Sequence, residues 1–203
     1  MAIEVWLRNK KNKRINREEQ EKEGKVITSR TASKTFAEKA AWAFVESEKP
    51  TFSIITLCPP IVFGPVVHYL NSLESLNTSN QRIRDMIQGK HKSELPPSMV
   101  SIWVDVRDVA MAHVKAIEIP EAANKRFFVT AGHYSNQEIA KCIRESFPEY
   151  REAVPEGVPG GGDPPEGSFG YDNGKAREVL GVEFRSLKES IVDTVRSLKE
   201  VGV

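Results

Sequence analysis

The sequence predicts an α/β protein, and two pairings of a helix with a strand carry that prediction. Residues 33–49, SKTFAEKAAWAFVESEK, are rich in Ala, Glu and Lys, with Phe36, Ala40, Ala43 and Ala37, Ala41, Phe44 recurring every three or four positions. That spacing predicts an amphipathic helix with a small-residue face. TFSIITLC (51–58) follows directly and is β-branched and nearly continuously apolar. It suits a strand buried on both faces of a parallel sheet, ended by Pro59-Pro60. Further on, Val100 to Val104 reads as a strand and Asp105 as the N-cap of a helix from Val106 to Ile117. Val109, Ala110, His113, Val114 and Ile117 share one side of that helix. Alternation of this kind is the rhythm of layered α/β folds.

The remaining elements follow in order. Ile61 to Pro65 reads as a loop, and Asn77 or Thr78 can cap a short helix through Arg82, Ile83, Met86 and Ile87 to Gly89. Arg126 to Thr130 is an apolar strand. Ser135-x-x-Glu138 and Ser186-x-x-Glu189 are capping-box patterns, each leading an amphipathic run: Ile139, Cys142, Ile143 and Phe147 after the first, Ile191, Val192, Val195 and Leu198 after the second. Between them VPEGVPGGGDPPEGSFG (154–170) holds too much Pro and Gly for regular structure and reads as a long surface loop. No internal repeat is visible.

Composition narrows the class. With 203 residues, 39% hydrophobic and 28% charged, the chain has the makeup of a globular domain and not of a disordered or fibrous one. A formal net charge of +1 leaves no global field for nucleic acid or anionic lipid. The only basic run, Arg8 to Arg17, is open to two readings, a nucleic-acid patch or a solvated terminus; the lack of aromatics beyond Trp6 favours the second, so nucleic-acid binding is not expected. Cys58 and Cys142 lie far apart without ligand spacing, which suggests neither a disulfide framework nor zinc and makes a cytoplasmic setting the default. No run is apolar enough for a signal peptide or a membrane span, so no membrane partner is expected.

Local motifs for chemistry are sparse. Gly160-Gly161-Gly162 follows no strand and opens no helix, so it lacks the setting of a phosphate cradle. His68, His91, His113 and His133 show no paired spacing, and no metal site is expected; His113 reads as a packed histidine. No GxSxG is present. Asp105 and Asp108 are paired carboxylates, explained by capping and by the helix dipole.

Five segments in order carry a family resemblance: TASKTFAEKAAW (31–42), LCPPIVFGP (57–65), LNTSN (76–80), VDVRDVAMAH (104–113), and the closing pair DNGKAREVLG and FRSLKESIVDT. Together they resemble extended short-chain dehydrogenases/reductases, in the branch of NADPH-dependent aldehyde, methylglyoxal and dihydroflavonol-type reductases, over the C-terminal half of the usual protein. The resemblance implies an incomplete Rossmann-type parallel sheet with a small C-terminal substrate-binding part. It also implies a division into a basic, polar and poorly ordered segment, 1–29, and the half-domain 30–203.

In this family a Tyr and a Lys four residues apart act on one helix face, the Tyr protonating the carbonyl oxygen while the Lys holds the nicotinamide ribose and lowers the Tyr pKa. Lys34 matches that Lys, but Arg30 stands in the Tyr position. A guanidinium stays protonated at any working pH and cannot replace a phenol as acid. Val62 matches a residue whose backbone meets the nicotinamide amide, Ser79 matches a further cofactor contact, and Pro59 shapes the same loop. The glycine-rich cofactor turn of the family has no counterpart here. The resemblance therefore implies NADP(H) as cofactor and a small aldehyde or ketone as substrate, with this chain inactive by itself, a truncated pseudoenzyme. The alternative is a non-catalytic partner that forms a homo- or heterodimer through helix 33–49.

Overall fold

The computed structural model describes residues 17–67, 70, 72, 75–98, 101–158 and 168–202. The chain divides into two compact units, 1–56 and 57–203. Among the described residues of the first unit one helix, α1 (Arg17–Glu48), runs across the boundary expected at residue 29. Its early part opens on the strong helix formers REEQEKE (17–23) and is free of Pro, which offsets Gly24 and the weaker formers Val26 to Ser29. The expected small-residue face does not face inward: Phe36 is 69% exposed and Phe44 50%, and Ala37, Ala40, Ala41 and Ala43 are exposed with them. The half-buried line is instead Thr35, Glu38, Trp42 and Val45. Glu38 anchors it, its Oε1 accepting from Trp42 Nε1 at 3.5 Å and from Thr56 Oγ1 at 3.1 Å. Phe44 stacks on Phe52 with ring centroids 6.5 Å apart.

The second unit contains β2 (Ile61–Phe63), α2 (Thr78–Ile87), β3 (Ile102–Asp105), α3 (Val106–Glu118), β4 (Arg126–Phe128), β5 (Gly132–His133), α4 (Asn136–Ser146), α5 (Gly174–Leu180) and α6 (Leu187–Glu200). A three-stranded sheet runs β2-β3-β5. β2 is parallel to β3, with Ile61 opposite Trp103 and Phe63 opposite Asp105, and β5 is antiparallel to β3, with Ile102 opposite His133. β1 (Thr56–Cys58) and β4 make a separate two-stranded sheet, continued where Val129 N donates to Cys58 O at 3.3 Å. The strand expected over 51–58 is thus only three residues long. Its neighbour β4 is equally short, so the ladder ends there, and β1 is half-buried instead of enclosed on both faces.

Two other expectations are corrected. Ile61 to Phe63 is not a loop but a strand, because pairing with β3 buries Phe63 to 1% exposure against Trp103 and Tyr134. The expected inward side of α3 is turned out: Ala112, Ala116 and Asp108 are buried, whereas Ala110, His113, Val114 and Ile117 are exposed. Packing on α5 and β3 selects the small-residue side, which allows the closer approach. His113 is therefore not a packed core histidine; its Nδ1 lies 2.7 Å from Val109 O of its own helix.

The helix starts follow the sequence. Asp105 accepts from Arg107 N, Ser135 and Glu138 form a complete capping box, and Ser186 accepts from Glu189 N. Ile139 and Ile143 of α4 meet Ile191, Val195 and Leu198 of α6 in one core, with Ile83 and Met86 of α2 beside them. Gly64, just after β2, has φ +132°, and a Cβ there would lie 2.6 Å from Val106 Cγ1. Only glycine fits that corner. The triple-glycine stretch and most of the basic run lie outside the described residues.

Candidate functional site

The residues expected to meet a cofactor fall in both units. In the first, Arg30 and Lys34 stand four residues apart in α1, about one turn, and Lys34 is exposed. In the second, Pro59 is exposed, while Val62 and Ser79 are half-buried. The start of α2 brings the segments of Val62 and Ser79 together. Asn77 occupies the N-cap position, but its side chain makes no cap bond; its Nδ2 reaches the Val62 carbonyl at 3.5 Å. Asn80, one residue past Ser79 and buried, donates from Nδ2 to the Gly64 carbonyl at 2.9 Å. Two asparagine amides thus hold alternate carbonyls of the segment that carries Val62. The Asn80 Oδ1 has no hydrogen-bond partner among the described residues.

Asn80→Ala leaves the buried Gly64 carbonyl unmatched, which should cost about 2 kcal/mol. Urea unfolding checks this, and a loss of only a few tenths would show that the bond does not hold the segment. Asn80→Asp should cost more, because it also buries a charge.

A charged pair of carboxylates borders the same corner. Asp105, the last residue of β3, is fully buried and accepts from Arg107 Nε and Nη2, both at 2.9 Å, while Arg107 Nη1 reaches Asp193 at 2.7 Å. Burial pushes the Asp105 carboxyl up, but the hydrogen bonds and charge of Arg107 outweigh it and hold the group below the ordinary carboxylate value. Asp108 is buried and pairs with Arg185, whose backbone N donates to it at 2.9 Å. There burial wins and the carboxyl is raised. Both residues act as structural anchors between α3 and the chain that leads into and forms α6. Neither reaches Val62 or Ser79 through a described contact.

The fit to a dinucleotide is partial. Lys34, Val62 and Ser79 are of the right kinds for the ribose and carboxamide of a nicotinamide. For a diphosphate, Asp105, Ser135 and Ser186 already take one first-turn amide each at α3, α4 and α6, whereas the start of α2 carries no side-chain cap bond. Among the described residues no group of three His, Cys, Asp or Glu could hold a metal ion, and no helix is long and apolar enough to cross a membrane.

The second unit is thus a mixed α/β unit with a parallel strand pair, in which two asparagine amides bind carbonyls at the end of β2. Over most of its length the chain is a homologue of NADPH-dependent reductases of the extended short-chain dehydrogenase/reductase family. A ketoreductase from Aspergillus niger is 48% identical over 171 residues, 83% of this chain and 50% of the relative. An NADPH-dependent methylglyoxal reductase from Saccharomyces cerevisiae is 32% identical over 85% of this chain and 51% of its own. Among solved structures, Gre2 from Candida albicans in complex with NADPH superposes with a TM-score of 0.74 at 36% identity, covering 84% of this chain and 51% of that one. The chain spans about half the length of the relatives it matches. No protein-family profile matches it.

Proposed function

We propose that this chain is the substrate-side half of an NADPH-dependent aldehyde or ketone reductase, inactive without a first half. The observation that carries the reading is the 48% identity to a ketoreductase over only half of that protein. Lys34 would hold the nicotinamide ribose; in the second unit the Val62 backbone would meet the nicotinamide amide, with Ser79 a further cofactor contact, and Asn77 and Asn80 keep the Val62–Gly64 stretch in place. Pro59 ends β1 and sets the path into β2. Arg30 in the acid position removes proton donation, which alone is worth about 10²- to 10⁴-fold in rate. A cytoplasmic setting belongs to the same reading, since Cys58 and Cys142 lie far apart in the sequence without the spacing of a disulfide framework.

NADPH fluorescence titration of the purified chain tests the reading. No saturable binding is expected up to high micromolar cofactor, whereas the chain joined to the first half of the Aspergillus niger ketoreductase should bind. Micromolar binding by the chain alone would overturn the requirement for a first half.

A second reading, a non-catalytic partner that dimerises through helix 33–49, draws on the exposed Phe36, Ala40 and Phe44 of α1. Sedimentation of the chain and of a Phe36→Glu, Phe44→Glu variant distinguishes it. Concentration-dependent association that the variant loses supports it; a monomer at all concentrations rejects it.

A further inference from the structure

Five arginines among the described residues are half-buried: Arg82, Arg84, Arg107, Arg144 and Arg185. Four of them meet a carboxylate, Arg84 at Asp85, Arg107 at Asp105 and Asp193, Arg144 at Glu156, and Arg185 at Asp108. Arg82 of α2 meets none. Its Nη1 donates to two neutral acceptors, Tyr134 Oη at 3.4 Å and Asn136 Oδ1 at 3.2 Å. Burial pushes the Tyr134 phenol up, by more than the Arg82 charge pulls it down, so it does not ionise at neutral pH to balance that charge. The acids nearest in the chain are engaged elsewhere, Asp85 by Arg84 and Lys90, and Glu138 in the capping box of α4. A guanidinium drawn partly out of water without a counter-charge is costly, which makes the position a place for an anion to enter.

The geometry also indicates which anion. Both Arg82 bonds leave from Nη1, so its Nε and Nη2 have no partner among the described residues, and neither atom is enclosed. That free edge is the pair of parallel donors that matches a carboxylate. The guanidinium is held in place from behind: Asn136 donates from Nδ2 to Pro96 O at 2.6 Å and from its backbone N to Ser98 Oγ at 2.9 Å, and Tyr134 packs edge-on against Phe63. Tyr134 and Asn136 also line a cavity of about 400 Å³ with Leu95, Pro96 and Ser101, a size in the range of small-molecule sites. No basic side chain lines it, and its two acids, Glu94 and Glu156, are exposed to screening water. A single guanidinium suits the one charge of a carboxylate better than the nearly two of a phosphate. Ser79 lies three residues before Arg82, on the same side of α2.

We propose that Arg82 receives the carboxylate of an oxo-acid through Nε and Nη2, with the rest of the ligand in the adjoining cavity. The site stands on this geometry, and its use for the carbonyl substrate rests on the half-reductase reading above. The test is a two-dimensional NMR titration of the full chain, without NADPH, by benzoylformate, by its uncharged counterpart 2-hydroxyacetophenone and by inorganic phosphate. Benzoylformate should bind saturably, shift the amides around Arg82, Tyr134 and Asn136, and bind at least about tenfold more tightly than the other two. Arg82→Leu should weaken it at least about tenfold, and Arg82→Lys, which keeps the charge without the fork, by a smaller factor. Lys115→Gln, which removes a positive charge from α3, should leave it unchanged. Absence of saturable benzoylformate binding, equal binding of 2-hydroxyacetophenone, or equal binding by Arg82→Leu overturns the proposal, and tighter binding of phosphate overturns the carboxylate. The comparison of the three ligands on the wild-type chain decides the matter even where Arg82→Leu does not fold. Failure of this titration leaves the half-reductase reading intact, and failure of the joined protein to bind NADPH leaves the Arg82 site standing.

Discussion

Arg30→Tyr, made in a protein that joins this chain to the first half of the Aspergillus niger ketoreductase, is expected to raise aldehyde reduction by at least about 10²-fold. Arg30 and Lys34 lie in one uninterrupted helix at the spacing that places two side chains one turn apart. A phenol at position 30 would therefore stand one turn from the ammonium of Lys34, which lowers its pKa and favours proton donation to a developing alkoxide. The present guanidinium has no proton to give at neutral pH. The measurement is kcat/KM for NADPH oxidation with a small aldehyde, compared between the joined protein and its Arg30→Tyr form. Equal rates in the two would mean that the proton comes from elsewhere and that position 30 is not the acid position.

The largest stability effect is expected at Asp105. Asp105→Ala removes the N-cap of α3 and leaves Arg107 with Asp193 alone. Breaking a buried pair of this kind costs about 3–5 kcal/mol, and equilibrium unfolding in urea should show it as a lower midpoint with an unchanged slope. Asp105→Asn keeps the capping oxygen and should cost less.

Acid titration gives the sign. The folded Asp105 carboxyl lies below its ordinary value of 3.8, so its contribution is complete above that value and is lost as pH falls through the folded pKa. Asp108 runs the other way: its folded carboxyl is raised, so its contribution is complete in acid and declines as pH rises from about 3.8 through the folded pKa. Asp108→Asn should therefore abolish a decline on the alkaline side of pH 4, and Asp105→Asn a loss on the acid side. Identical pH profiles for the two variants would contradict this opposition.

These contrasts also explain what the sequence made legible. Asp105, Ser135 and Ser186 could be read as helix starts because a cap is a local bond between a side chain and an amide two or three residues away. β2 could not be read, since Ile61-Val62-Phe63 is three residues between Pro60 and Gly64 and its strand character comes from Trp103 and Asp105, far along the chain. α3 was legible as a helix but not in its orientation: with apolar residues on both sides, periodicity has no preferred direction, and packing on α5 decides.

The site divides the same way. Lys34, Val62 and Ser79 came from ordered motifs, whereas the link from Asn77 to Val62 was hidden by the ordinary reading of Asn-Thr-Ser as a cap. Asn80 closes the LNTSN segment without standing out in it. Its one signal was an asparagine inside the first turn of a helix, where an amide competes with the backbone and usually has a task elsewhere.

Gly64 carries a consequence for descent. Its positive φ, and the 2.6 Å that would separate an added Cβ from Val106 Cγ1, require glycine for folding, whatever happens at the neighbouring site. A gene released from selection for catalysis would still keep Gly64 as long as the protein had any reason to fold, while Arg30 and Lys34 would be free to drift. Persistence of the Val-Phe-Gly-Pro stretch in a diverged copy therefore records that the fold has survived, whatever has become of the chemistry.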